Sequence, residues 1–162
     1  MRFGRASMAR CNWGEDMQQA VSARAPVHLW IVGILSLLWN AFGCYDYLMT
    51  NLRNPAYLAA FPADQLVYLD SLPSWLTAFW ALGVWGGLAG ALLLLARSRH
   101  AILAFAISVV GAVVGLGYQM FVTEMPASMK EGVMGLMPWA IIAIAVAQLW
   151  YSRNVGKQGL LR

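Results

Sequence analysis

The sequence predicts an all-α fold, a four-helix transmembrane bundle with a short interfacial helix in the first outer loop. Of the 162 residues, 60% are hydrophobic and only 11% are charged, which is more apolar than a soluble domain of this length can bury. The apolar residues fall into four runs of about 20 residues, the length that a hydrocarbon core of about 30 Å requires. No ten-residue alternation typical of a barrel strand occurs, so the backbone groups in lipid are expected to be satisfied within helices.

The chain opens with a basic arm over residues 1–27, which is expected to be cytoplasmic and disordered. Residues 1–16 are polar and Arg-rich without periodicity, and Met17 is an alternative start. The apolar run that follows is longer than the 7 to 15 residues, roughly, of a signal-peptide core. An uncleaved first helix is therefore predicted.

The four spans and a cytoplasmic tail are predicted at residues 28–50, 73–96, 100–122, 132–151 and 152–162. Pro73 suits the first turn of the second span, where its missing N–H donor is harmless. In the long connection over residues 51–72, Pro62 is followed by Ala63, Asp64 and Gln65. This pattern predicts the start of a short amphipathic helix on the outer interface.

The basic residues predict the orientation of the chain. Two of the eleven, Arg53 and Lys130, fall in the first and third connections. The other nine fall in the arm, the second connection and the tail: Arg2, Arg5, Arg10, Arg24, Arg97, Arg99, Arg153, Lys157 and Arg162. The positive-inside rule then predicts a cytoplasmic (inner) membrane protein with both termini in the cytoplasm. Because the charges flank apolar runs, the expected partner is the lipid bilayer and not a nucleic acid.

The first span carries a polar face. At about 100° per residue its small and polar side chains fall on one side and its large apolar ones on the other. The candidate polar bundle face consists of Trp39, Asn40, Gly43, Asp46, Tyr47 and Thr50. Candidate partners at its outer end are Arg53, Gln119 and Glu124.

Two polar residues on this face lie at different depths. Asn40 is about 16 Å along the helix from Leu29, near the bilayer midplane, and Asp46 is about 26 Å along it, near the outer headgroups. For Asn40 the favoured interpretation is a hydrogen bond to a neighbouring helix, and the alternative is contact with a solute or an ion. For Asp46 the favoured interpretation is a carboxylate that is hydrated or paired with Arg53, and the alternative is a proton-coupled or substrate-binding role.

Glycines spaced four residues apart predict close helix packing in the second and third spans. They are Gly83, Gly86, Gly87, Gly90, Gly111 and Gly115. Small residues at this spacing let two helix backbones approach. Packing within one chain is the favoured interpretation, and a homo-oligomer is the alternative.

No cofactor, metal site or catalytic centre is predicted. The spacing of Cys11, Cys44, His28 and His100 matches no zinc, haem or iron–sulfur pattern, and no nucleophile is accompanied by a base. Five methionines cluster around the third connection: Met120, Met125, Met129, Met134 and Met137. Thioethers can bind Cu(I), but methionine is also an ordinary apolar filler, and filling is the favoured interpretation.

The segment WNAFGCYDYLMT at residues 39–50 carries a resemblance, together with RNPAYLAAF, the Pro-Ser-Trp before the second span and ALGVWGGLAGALLLL within it. Over about residues 27–151 the chain resembles a family of small bacterial four-span membrane proteins. These proteins are labelled hypothetical membrane protein and sometimes sugar transporter. The resemblance implies the four-span architecture and no established activity.

Two function classes follow from these observations. The favoured one is a structural or accessory membrane subunit whose polar face docks onto its own bundle, onto a second copy or within a larger membrane complex. The alternative is a component of a transporter or channel for a small solute, such as a sugar, or for an ion. The chain is short for a complete secondary transporter and shows no internal repeat of the kind many transporters have.

Overall fold

The computed structural model describes residues 26–162, and this part of the chain is helical without strands. The helices are α1 Val27–Asn51, α2 Pro55–Leu58, α3 Ala63–Ser71, α4 Ser74–Leu95, α5 His100–Phe121, α6 Ala127–Lys130 and α7 Gly132–Lys157. Four of them, α1, α4, α5 and α7, are long and apolar enough to cross a membrane. The predicted four-helix bundle is confirmed. Residues 1–25 of the arm expected over residues 1–27 lie outside the described residues.

The four spans run up and down in chain order, so the bundle has two ends of opposite charge. We call the end where α1 begins and α7 ends the basic end; its cationic side chains are Arg97, Arg99, Arg153, Lys157 and Arg162. The opposite, acidic end carries the carboxylates of the described residues, which are Asp46, Asp64, Asp70, Glu124 and Glu131. Arg53 and Lys130 also lie there.

The interfaces between neighbouring spans differ in closeness. The α4 and α5 helices share the most extensive interface, α1 packs on α4, and α7 packs on α5. The backbones of α1 and α7 approach each other at few points. The first and last spans are therefore the most loosely packed neighbours in the bundle.

Three spans end in the same turn, which reverses the chain through a residue with positive φ. The φ angles are 52° at Arg53, 59° at Arg97 and 72° at Gly159. After α4, for example, Ser98 N–H donates to Leu93 C=O over 2.8 Å, which is the bond of a Schellman motif that spans more residues. Glycine usually occupies this position, so each arginine there costs about 1 kcal/mol of backbone strain.

The tail after α7 is part of the folded structure. Its backbone pairs with the α4–α5 turn, because Arg99 N–H donates to Arg162 C=O at 2.9 Å and Arg162 N–H donates to Arg97 C=O at 2.6 Å. Leu161 is only 1% exposed and packs in a core cluster with Phe105. Within the tail predicted over residues 152–162, α7 continues to Lys157, and the remaining residues close the basic end.

The acidic end is covered by short helices. The α3 helix begins directly after Pro62, as predicted, and its buried residues are Gln65 and Tyr68. The Tyr68 hydroxyl lies 2.6 Å from the Thr123 hydroxyl, just beyond α5. Because α3 also contacts α6, this helix lies across the acidic end of the bundle rather than apart from it.

Candidate functional site

The polar face of α1 points into the bundle. Gly33, Ser36, Asn40 and Thr50 are buried, while Gly43, Asp46 and Tyr47 are partly buried. The predicted helical periodicity therefore identifies the interior side of α1. Trp39 was predicted on this face but lies outside it. It is 37% exposed, because it precedes Asn40 by one residue and therefore by about 100° of rotation.

The centre of the site is a pair of buried amides. The Asn40 Nδ2 atom donates to Ser36 C=O over 2.8 Å and to Gln148 Oε1 on α7 over 3.3 Å. Asn40 is 8% exposed and Gln148 is 7% exposed. This contact has the geometry of the interhelical hydrogen bond predicted for Asn40, and the partner is a residue that the sequence analysis did not single out.

Glycine makes the room for this amide pair. A Cβ atom on Gly87 would overlap Asn40 Oδ1 and would lie 3.1 Å from Ser108 Oγ. The Ser108 hydroxyl donates to Gly83 C=O over 2.6 Å, so it is held by α4. Three helices thus bring small or polar groups to one level of the bundle, where Asn40 fits against a bare stretch of α4 backbone.

The remaining predicted glycines lie on the interface between α4 and α5. A Cβ atom on Gly86 would lie 3.1 Å from Ser108 N, and one on Gly90 would lie 2.7 Å from the Phe105 ring. A Cβ atom on Gly111 would overlap Gly83 N. Gly115 has more room, with Phe79 Cβ at 3.8 Å. The glycine spacing therefore serves contacts within one chain, and Gly87 alone of the set faces Asn40.

Asp46 has a different partner from the one expected. Its carboxylate accepts a hydrogen bond of 2.6 Å from the Tyr57 hydroxyl on α2. Loss of surrounding water, followed by the bond to Asp46 and its charge, raises the pKa of Tyr57 above its ordinary value. The Tyr57 hydroxyl therefore remains a donor at neutral pH.

Arg53 pairs with Asp70, not with Asp46. Both side chains of this ion pair are more than half exposed, so the pair contributes little to stability. Its effect is to connect the turn after α1 to the last turn of α3. Of the two interpretations given for Asp46, a hydrated carboxylate or one paired with Arg53, the structure does not show the pairing.

The two other candidate partners do not contact Asp46. Gln119 Nε2 donates to Gly115 C=O within its own helix over 3.3 Å. Glu124 is exposed in the turn after α5. The neighbouring Thr123 hydroxyl links Gln119 C=O to Tyr68, so this side of the acidic end is joined to α3 instead.

A second polar link joins α1 and α7 at the basic end. His28 Nδ1 lies 2.6 Å from the Tyr151 hydroxyl, and the two rings meet edge to face with centroids 5.9 Å apart. Nearer the acidic end, Tyr47 meets Trp80 of α4 edge to face at 5.2 Å. Five polar or aromatic residues of α1 thus have a partner on another helix: His28 and Asn40 on α7, Cys44 and Tyr47 on α4, and Asp46 on α2.

Three side chains of the site were not predicted from the sequence. Gln148 is a lone amide inside an apolar run, the same signal that singled out Asn40, and it was available in the sequence. Ser152, one turn further, is fully buried and donates to Leu149 C=O over 2.8 Å. Tyr57 gave no such signal, because its approach to Asp46 depends on the turn that follows α1.

The arrangement is chemically suited to hydrogen bonding. Within residues 26–162, no group of three or more His, Cys, Asp or Glu side chains is placed to hold a metal ion. Cys44 donates its thiol to Val84 C=O at 3.4 Å. The buried Asn40, Gln148, Ser108 and Ser152 side chains thus bond one another or backbone carbonyls.

These features define a multi-pass integral membrane protein with four helical spans. No family model, no curated protein and no solved structure matches the chain. The resemblance to small bacterial four-span proteins stays a prediction.

Proposed function

We propose that the chain is a structural or accessory subunit in a bacterial cytoplasmic membrane. The basic end of the bundle, and with it both termini, faces the cytoplasm. The observation that supports the role is the engagement of the polar face: Asn40 bonds Gln148, Ser108 bonds Gly83 C=O, and Asp46 accepts from Tyr57. A polar face that is satisfied within its own bundle supports packing rather than passage. The charge difference between the two ends supports the orientation.

In this role, the polar interior determines which helices pair. Lipid tails are as apolar as leucine, so apolar side chains give little reason for one span to prefer another. Hydrogen bonds and close glycine contacts supply that preference. The outward surface is left apolar, with exposed residues such as Leu38, Phe42 and Val110, and is suited to lipid or to another span.

A transport role is the second candidate, and one observation favours it. Asn40 and Gln148 meet between α1 and α7, two spans whose backbones approach each other at few points. A small rotation of either helix would separate the amides and present both to a solute such as a sugar, or to an ion. Polar groups at this depth are a common feature of transport pathways.

Leucine variants of the amide pair separate the two roles. Asn40→Leu and Gln148→Leu each leave one buried amide unpaired, and the double variant removes both. For a packing role we expect each single variant to lose about 0.6 to 1.7 kcal/mol of unfolding free energy in detergent. The double variant should lose less than the sum of the two, because no amide is left without its partner.

Flux measurements complete the comparison. The wild-type chain and the folded variants are reconstituted in vesicles, and uptake of labelled sugars and monovalent ions is followed. Uptake by the wild type that stops in a stably folded Asn40→Leu variant would establish transport and overturn the structural role. For the accessory role we expect no uptake, and purification from native membranes in mild detergent should recover a partner protein together with the 17.8 kDa chain, identified by mass spectrometry.

A further inference from the structure

The methionines near the acidic end do not share one environment. Met120 of α5, Met125 of the following turn and Met129 of α6 line a single cavity of about 180 Å³. Met134 and Met137 are 48% and 41% exposed on the first turns of α7. Three of the five methionines therefore line one cavity, and two do not.

The other walls of the cavity come from Lys130, Gly135 and Pro138. A Cβ atom on Gly135 would overlap the backbone carbonyl oxygen of Lys130, so the bare glycine lets the end of α6 lie against α7. Lys130 itself is exposed. Among the residues that line the cavity, only the three methionines carry sulfur.

We propose that Met120, Met125 and Met129 form a binding site for a soft monovalent metal ion, with Cu(I) as the biologically relevant member of that class. Thioether sulfur is a soft, neutral ligand that favours Cu(I) over hard cations such as Mg²⁺ and Ca²⁺. No carboxylate or imidazole lines the cavity to recruit those ions or Zn²⁺. This inference is independent of the proposed accessory role.

The surrounding charge favours a cation. The acidic end carries five carboxylates against the two cationic side chains Arg53 and Lys130. Glu124 and Glu131 immediately flank the segment that contains Met125 and Met129. A negative local field raises the concentration of cations near the surface, while the neutral sulfurs select among them.

The competing interpretation is that these methionines only fill space. Methionine adapts to irregular gaps and packs well without binding anything. The two interpretations differ in one measurable respect. Leucine has nearly the same volume and replaces a filler at little cost, but it removes a metal ligand completely.

The test is an anaerobic titration of the purified full-length chain in detergent with Cu(I), in competition with a chromogenic Cu(I) chelator. Ag(I) serves as a redox-inert second probe. We expect one metal ion per chain. Met120→Leu, Met125→Leu and Met129→Leu should each weaken binding at least about tenfold, since changing a group that merely supports a ligand already costs that much.

Two controls identify the ligands. The Met134→Leu/Met137→Leu double variant should bind as the wild type does, because both residues lie outside the cavity. A Cys11→Ser/Cys44→Ser variant should also retain binding, which excludes the thiols. X-ray absorption at the copper edge should show sulfur neighbours in this thiol-free variant.

The proposal fails on any of three outcomes. The first is a wild type that binds no stoichiometric metal ion. The second is binding that is undiminished after the three cavity methionines are replaced together. The third is loss of binding in the thiol-free variant. If the triple leucine variant does not fold, the three single variants decide the matter. Unchanged affinity in all of them then refutes the site.

Discussion

Replacing Gly87 by alanine should destabilise the bundle, whereas the same replacement at Gly117 should not. Both residues lie within long helices, so the change in helix propensity is the same. Their surroundings differ: a Cβ atom on Gly87 would overlap Asn40 Oδ1, and one on Gly117 meets nothing within 4 Å. The pair therefore isolates the effect of the contact with Asn40.

The expected changes in the free energy of unfolding have opposite signs for the two variants. Alanine favours the helix over glycine by about 1 kcal/mol, and at Gly117 this gain is the main effect. At Gly87 the added methyl group must displace Asn40. Overpacking of this kind costs about 1 to 3 kcal/mol, and loss of the bond to Gln148 adds about 0.6 kcal/mol. After the propensity gain is subtracted, Gly87→Ala should lose about 0.6 to 2.6 kcal/mol of unfolding free energy.

The assay is reversible unfolding of the purified variants in detergent, followed by circular dichroism. A double-mutant cycle with Asn40→Ala identifies the colliding group, because that change removes the atom that a Cβ on Gly87 would meet. The two changes should be coupled by about 0.5 to 3 kcal/mol, so that Gly87→Ala becomes nearly harmless. The penalty should also be independent of protein concentration, as expected for a contact within one chain.

Two results would refute this reasoning. One is a Gly87→Ala variant that is as stable as Gly117→Ala. The other is a penalty that persists undiminished in the Asn40→Ala background, which would assign the cost to another neighbour.

Three further predictions concern the two ends of the bundle. Leu161→Ala should lower the unfolding free energy by about 2 to 4 kcal/mol in the same assay, far more than Leu160→Ala, because Leu161 is fully buried. Tyr57→Phe should cost about 1 kcal/mol through its lost hydrogen bond. Because the folded-state pKa of Tyr57 is raised, this difference should be constant below a pH of about 10 and shrink as the pH rises further; a difference that grows with pH would contradict it. A cytoplasmic reporter should be active after Arg162 and an export-dependent one after Asp64, and the reverse pattern would contradict the orientation.

The ends of the spans could be predicted where hydropathy changes abruptly. The predicted first three spans differ from α1, α4 and α5 by one residue or less at each end, because turn-forming or charged residues flank each apolar run. The last span was predicted to end at residue 151, but α7 continues to Lys157. Its final turns are held by interior packing of Ser152 and Val155, which hydropathy does not reveal.

The candidate site could be predicted only on one helix at a time. Periodicity placed Asn40 and Thr50 inside the bundle, because a single helix has a fixed rotation per residue. Tyr57 was not predicted as a partner of Asp46; the cation considered was Arg53, the nearest in the sequence. The left-handed residue after α1 redirects the chain, so that Tyr57 reaches Asp46 while Arg53 reaches α3. Such pairings depend on turn geometry rather than on composition.

The distribution of contacts shows what holds the bundle closed. Close glycine contacts join α4 to α5, where the helix backbones can nearly touch. Between α1 and α7 the backbones approach at few points, so side chains must cross a wider gap. They do so at two depths, through Asn40 with Gln148 and through His28 with Tyr151. Because apolar side chains in lipid give little preference for one neighbour over another, these two polar links are the features that specify α7 as the partner that closes the bundle against α1.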